Sequence, residues 1–267
     1  MKKSLFLPLA FLTVFIFIVS SACNLPFGGD ETATVEPKII VVTATPEKVN
    51  LPAITEAPMA TEAQQVEITD EATFSEEPPA YYVEEFDGDL SNYTYAVLNY
   101  GNRSTENATI TPINNALQFK NDGDDLYAYV YYDPYDYVDV RIDLEAENLA
   151  TNDNSITLVC RYNEDIGWYE YNIDNDGEWK LWYFDAVVAK KYVKLYDGGS
   201  TAIRMGRDTN IYTMICQGKQ LSLYINGVYT HTFEHKDLKT GQIGFGVTSY
   251  DSYPVIMNIN WLEISEP

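Results

Sequence analysis

From about residue 81 to the C-terminus, apolar and polar positions alternate with a period of two in short runs. No run shows the longer period of an amphipathic helix. The clearest run is Ile211 to Glu234, IYTMICQGKQLSLYINGVYTHTFE. Asn226-Gly227 is a strong two-residue hairpin signal, because a type I′ turn needs positive φ at both central residues. Gly218-Lys219 is a weaker signal of the same kind. Two-residue turns at both places predict three strands in a fixed register. Cys216 then faces Leu221, Met214 faces Leu223, and Tyr212 faces Ile225. Across the second turn Ile225 faces Val228 and Leu223 faces Thr230. These residues share one side of the pleat, which is nearly all apolar. Thr213, Gln220, Ser222, Tyr224, Tyr229 and His231 fall on the other, a mixed face joined by Ile215. One buried and one mixed face is the pattern of an antiparallel meander.

Further strands are predicted at Tyr127–Tyr132, Tyr137–Leu144, Ile156–Tyr162, Trp168–Ile173, Trp179–Phe184, Ile243–Val247 and Val255–Ile264. The expected breaks are Asn121-Asp122-Gly123, Asp133-Pro134, Asp174 to Gly177, Asp197-Gly198-Gly199 and Asp251 to Pro254. Many short strands with regular turns predict an all-β, two-sheet antiparallel sandwich over residues 81–267.

The first eighty residues follow other patterns. Residues 1–22 read as an export signal, with Lys2 and Lys3 before a short apolar core from Leu5 to Val19 and small residues at Ser21-Ala22. The stretch Val19-Ser20-Ser21-Ala22-Cys23 resembles the lipobox of bacterial lipoproteins. That resemblance implies cleavage before Cys23 and lipidation of its thiol, where an ordinary signal peptide would leave a chance cysteine. Residues 23–80 are rich in Thr, Glu, Ala and Pro and read as a disordered tether with a reach of roughly 40 Å. The expected location is therefore extracytoplasmic, with a lipid as the only membrane contact.

Charge narrows the partners. The chain carries a net charge of −23, and residues 81–267 hold 13 Lys+Arg against 29 Asp+Glu. That excess argues against nucleic acid, whose phosphates require cationic neutralisation. It attracts cations such as calcium without defining a site for one. Asn172-x-Asp174-x-Asp176-Gly177 matches a calcium loop only in part, because Tyr183 stands where the bidentate Glu belongs; it reads as a hairpin turn. His231 and His235 would lie ~13 Å apart on a strand and cannot share a metal. No cofactor and no metal ligands are assigned.

Several pieces together resemble the concanavalin A-like lectin/glucanase group. They are Cys160-Arg161-Tyr162, Gly167 to Ile173, Asp176-Gly177, Asn210 to Cys216, Leu221 to Gly227 and Gly241 to Gly244. The likeness is greatest to the laminin-G-like and keto-disaccharide-hydrolase-like jelly rolls. Phe86-Asp87-Gly88-Asp89 resembles the opening strand of such domains. Where the family often ends in a Phe-Asp-Asn-like strand, this chain has Ile259 to Ile264, so an end-strand metal ligand does not carry over. The resemblance implies a jelly roll and a carbohydrate partner.

The candidate chemistry has two sides at each position. Cys160 and Cys216 both point inward, as a disulfide worth ~4 kcal/mol in the chain-entropy model or as two buried thiols. Tyr127, Tyr129 and Tyr131 share one strand face, and Trp168 and Trp182 flank a hairpin. Flat rings of this kind stack on sugars, and they also fill sandwich cores. Trp179, Leu181 and Tyr183 fit the core, and Trp182 alternates to the other face. Glycoside hydrolysis needs two carboxylates at a fixed separation. The Glu-x-Asp-x-x-Glu string of the jelly-roll glucanases is absent. Asp143, Glu145 and Glu147 are the nearest set and read as a solvated face. A non-catalytic carbohydrate binder is the leading reading, with a sugar hydrolase and a structural or protein-binding module as alternatives.

Overall fold

The computed structural model describes residues 40–42, 77–99 and 104–267. Cys23, the signal at 1–22 and nearly all of the 23–80 tether lie outside the described residues. Within them the chain forms sixteen strands and one short 3-10 turn at Thr105–Asn107. The strands are β1 (Ile40–Val42), β2 (Tyr82–Glu84), β3 (Tyr93–Asn99), β4 (Ala108–Pro112), β5 (Leu117–Asn121) and β6 (Leu126–Tyr137). Next come β7 (Val140–Asn148), β8 (Asn154–Asn163), β9 (Gly167–Asp174), β10 (Glu178–Asp185) and β11 (Lys191–Gly199). The last are β12 (Thr209–Gln217), β13 (Gln220–Ile225), β14 (Val228–Glu234), β15 (Gly241–Ser249) and β16 (Val255–Ser265).

Period-two patterning lets each strand bury alternate residues, and two such faces meet in an antiparallel sandwich. The first sheet runs β1-β3-β6-β15-β8-β9-β10-β11, and the second β14-β13-β12-β7-β16-β5-β4, with β2 also on β16. The core between them includes Phe119, Tyr171, Leu181, Met214, Leu223 and Phe245, each fully buried. Cys160 on β8 and Cys216 on β12 form a disulfide across the two sheets, with Cα atoms 6.7 Å apart. Entry to the sandwich is pinned as well. The hydroxyls of Tyr135, Tyr132 and Tyr137 donate to the carbonyls of Pro78, Pro79 and Ala80.

The β12–β13 register is as expected, with Tyr212 opposite Ile225, Met214 opposite Leu223 and Cys216 opposite Leu221. Asn226 and Gly227 both have positive φ, at 52° and 75°. The Asn226 side chain has a second job, accepting from the Ile211 amide and donating to the Ala202 carbonyl. Beyond Ile225–Val228 the expectation fails. A bulge between Leu223 and Tyr224 sets Leu223 opposite His231, not Thr230. Every later residue of β14 changes face, because side chains alternate strictly. His231 therefore packs inward against Tyr196 and Trp179 instead of lying on the mixed face.

Three other expectations are corrected. Asp133-Pro134 does not end a strand; β6 continues to Tyr137, and Pro134 sits where the register against β15 slips. A bulge needs no amide donor there, so proline is tolerated. Asp197-Gly198-Gly199 is the end of β11 and not a turn. Gly198 is required for close approach, since a Cβ there would come within 2.7 Å of the Trp179 ring. Phe86 opens no strand; it follows β2 in a bend at φ 54° and drops its ring into the core.

Candidate functional site

The outer face of the first sheet carries its own pattern. On β9 the residues that alternate with core Tyr169, Tyr171 and Ile173 are Trp168, Glu170, Asn172 and Asp174. Cross-strand pairing extends them into rows. Tyr127, Thr248, Ser155 and Asp174 form one row across β6, β15, β8 and β9. Tyr129, Gly246, Thr157, Asn172 and Lys180 form the next. Tyr131, Gly244, Val159, Glu170 and Trp182 form the third.

The two glycines set the floor height. A Cβ on Gly244 would meet the Tyr131 ring at 2.6 Å, and one on Gly246 would meet the Tyr129 ring at 2.9 Å. The tyrosine rings thus lie down over β15 and stack on each other, 11° from parallel. Above this floor lies a groove of about 750 Å³. Aromatic Tyr129, Trp182 and Tyr192 line it in the rows near Glu170, and Asp153, Asp174, Asp176 and Glu178 line it towards the β9–β10 turn.

Of the predicted ligand-binding residues, the structure brings Tyr127, Tyr129 and Trp182 to the groove. Tyr131 and Trp168 lie beside it in an aromatic layer with Tyr162 and Phe184. Trp168 is buried, but its indole Nε1 donates to Glu170 Oε2 at 2.9 Å. Tyr192 donates to the same oxygen at 3.3 Å. Burial pushes the Glu170 carboxyl up to about 7 against these hydrogen bonds, because desolvation penalises the charged form.

At the other end Asp174 pairs with the Lys180 ammonium and accepts from the Tyr250 hydroxyl at 3.0 Å. Burial still holds its carboxyl above the ordinary range. For Lys180 burial acts downward, and the Asp174 carboxylate outweighs it, so its pKa is raised. Between the two carboxyls sits Asn172, only 6% exposed. Its Nδ2 donates to Thr157, and its Oδ1 has no partner. A buried acceptor without a donor is costly, so the Asn172 Oδ1 marks where a donor-bearing ligand would be stabilised.

Asp143, Glu145 and Glu147 lie on β7 in the second sheet, away from this groove. Asp143 is not solvated as expected. It is 6% exposed, held by the Arg141 guanidinium at 2.6 and 2.8 Å and by Thr213. His231 and His235 hold no common ligand position; His235 Nδ1 bonds Tyr169 and His231 packs on Tyr196. Among the described residues no group of three or more His, Cys, Asp or Glu is arranged to hold a metal.

Glu170, Asn172, Lys180, Tyr192 and Tyr250 were not singled out from the sequence as ligand-binding residues. For Glu170, Asn172 and Lys180 the one signal is polar residues at alternate places on a strand whose other face is core; Tyr192 and Tyr250 carry none.

No known family model and no curated protein sequence matches the chain. Solved structures do. A glycoside hydrolase family 16 endo-glucanase from Bacteroides ovatus matches with a TM-score of 0.52 at 12% identity, covering 69% of this chain and 99% of that one. A protein of unknown function with a galectin-like fold from Bacillus subtilis matches at 0.52 and 9%, over 70% and 96%. A prokaryotic β-glucanase, a lichenase from a mouse hindgut metagenome, matches at 0.50 and 13%, over 70% and 100%. The fold is a concanavalin A-like jelly roll. At these identities the likeness concerns the jelly roll alone, and the groove must be read from its own residues.

Proposed function

We propose that this chain is a non-catalytic carbohydrate-binding protein whose ligand lies in the groove on the first sheet. The observation that carries the reading is the unpartnered Asn172 Oδ1 on a groove floor ringed by Tyr129, Trp182 and Tyr192. Sugars meet both requirements, since their apolar faces stack on rings and their hydroxyls donate to buried acceptors. The glucanases among the structural neighbours make glucans the first ligands to try.

The hydrogen bonds weigh against hydrolysis. Glu170 Oε2 is held by Trp168 and Tyr192, and Asp174 by Lys180 and Tyr250, so each carboxyl is engaged by the protein's own donors. The Glu-x-Asp-x-x-Glu string of the jelly-roll glucanases is also absent. One observation favours the alternative: a carboxyl raised to about 7 suits a general acid. Incubating the full chain with glucans separates the two. Binding without release of reducing sugar supports the proposal; turnover lost in Glu170→Gln overturns it in favour of a hydrolase.

The proposal includes a lipid on Cys23 and a position outside the cytoplasm, supported by the apolar core at Leu5–Val19, the small residues before Cys23 and a disulfide, which persists in oxidising compartments. Fatty-acid labelling of the expressed chain should be lost in Cys23→Ala. Labelling that survives the substitution rejects the anchor.

A further inference from the structure

The groove is more specific than a generic sugar platform. Its lining holds five acidic side chains, Asp153, Glu170, Asp174, Asp176 and Glu178, against one basic one, Lys180. Lys180 is already engaged by Asp174, with Glu178 3.8 Å away. The unpartnered Oδ1 of Asn172 is also an acceptor. It waits for a donor, and the surrounding field favours a positive one.

We propose that the groove selects a polysaccharide whose sugars carry free amines, with an ammonium seated at Asn172 Oδ1 between Glu170 and Asp174. This rests on the carbohydrate-binding reading above and narrows it. On β9 Asn172 stands two residues from each acid on the same face, a spacing of roughly 7 Å. A cation at its Oδ1 is thus flanked by both acids. Lys180, directly across from Asn172 on β10, shows the chemistry in place, because its ammonium is held at the Asp174 end of this row. A ligand ammonium takes the Glu170 end, where the carboxyl has only neutral donors, Trp168 and Tyr192 among them. The rings of Trp182 and Tyr192 cover the sugar faces. The same field rejects polysaccharides made of uronic acids.

Titration calorimetry on the full chain tests this with four probes: oligoglucosamine, oligo-N-acetylglucosamine, cello-oligosaccharide and oligogalacturonate. Oligoglucosamine is expected to bind about tenfold or more tighter than the two neutral probes, and oligogalacturonate not at all. Glu170→Gln and Asp174→Asn should each remove most of that preference, read as the ratio of oligoglucosamine affinity to neutral-probe affinity. Glu147→Gln makes the same change in net charge on the second sheet and should leave the preference intact. Equal affinity for amine and neutral probes overturns amine selection but keeps carbohydrate binding. An equal loss in Glu147→Gln also overturns it, because attraction would then come from total charge. No binding to any probe removes the carbohydrate reading itself.

Discussion

The two outer faces of the sandwich are built from similar residues and finished differently. On the second sheet the polar side chains satisfy one another. Arg141 grips Asp143, Thr213 donates to Asp143, Gln118 donates to Asn258, Asn260 to Glu145, and Ser222 pairs with Thr232. On the first sheet Asn172 leaves a buried acceptor open, and Glu170 is buried among aromatic rings, which favours its neutral form. Buried polar groups are normally paired, so an unfinished face in a protein that finishes its other one is a functional signal. The contrast also separates charge from site. Both faces carry carboxylates, and those of the first sheet line a groove.

The disulfide is common ground, joining β8 beneath the groove to β12 beneath the second face. Cys160→Ser with Cys216→Ser should lower unfolding stability by about 2–5 kcal/mol, measured by denaturant unfolding, for both faces alike. Next in size is the carboxyl under the groove. The folded pKa of Glu170, about 7, exceeds its ordinary 4.5, so the folded chain holds a proton the unfolded chain has released. Its share of stability is full below about 4.5, falls as pH rises to about 7, and stays lost above, a cost of about 3 kcal/mol. Glu170→Gln should therefore raise the melting temperature at pH 8 and not at pH 4. Glu145→Gln on the second face should change stability by less than ~0.5 kcal/mol at either pH. If the two variants behave alike, the difference between the faces is broken.

Aromatic substitutions sharpen the contrast in binding. Trp182→Ala should weaken glycan binding by about 2 kcal/mol, some thirtyfold, as removal of a central ring does. Tyr229→Ala, at an exposed ring beside Tyr224 on the second sheet, should leave affinity unchanged. The reverse result would move the site to the other face. Gly246→Ala tests the floor of the groove itself. The added methyl meets the Ala128 carbonyl at 2.6 Å and the Tyr129 ring at 2.9 Å, costing ~1–3 kcal/mol in stability and lifting the ring into the groove.

Much of the fold was legible in local pattern. Alternation placed Leu181 and Trp179 in the core and Trp182 outside, and turn chemistry fixed the Met214–Leu223 register. These hold because side-chain alternation and positive φ are properties of adjacent residues. The Leu223/Tyr224 bulge was not legible, and with it the inward turn of His231, since a bulge reflects packing against Trp179 and Tyr196 from the other sheet. Strands β2, β3, β4, β5 and β11 were missed for a related reason: their patterns are weak, and pairing with stronger neighbours holds them in place.

For the candidate site, the chain alone determined the supply of rings and acids and the likeness to a carbohydrate-associated fold. Only tertiary structure decided which of them meet. Glu170, Asn172 and Asp174 are separated from Tyr129 by two intervening strands, β15 and β8. Their depth under Trp182 and Tyr192, and the missing donor at Asn172, follow from cross-strand geometry. No linear spacing encodes that geometry, because each row of the groove draws its members from distant turns of the chain.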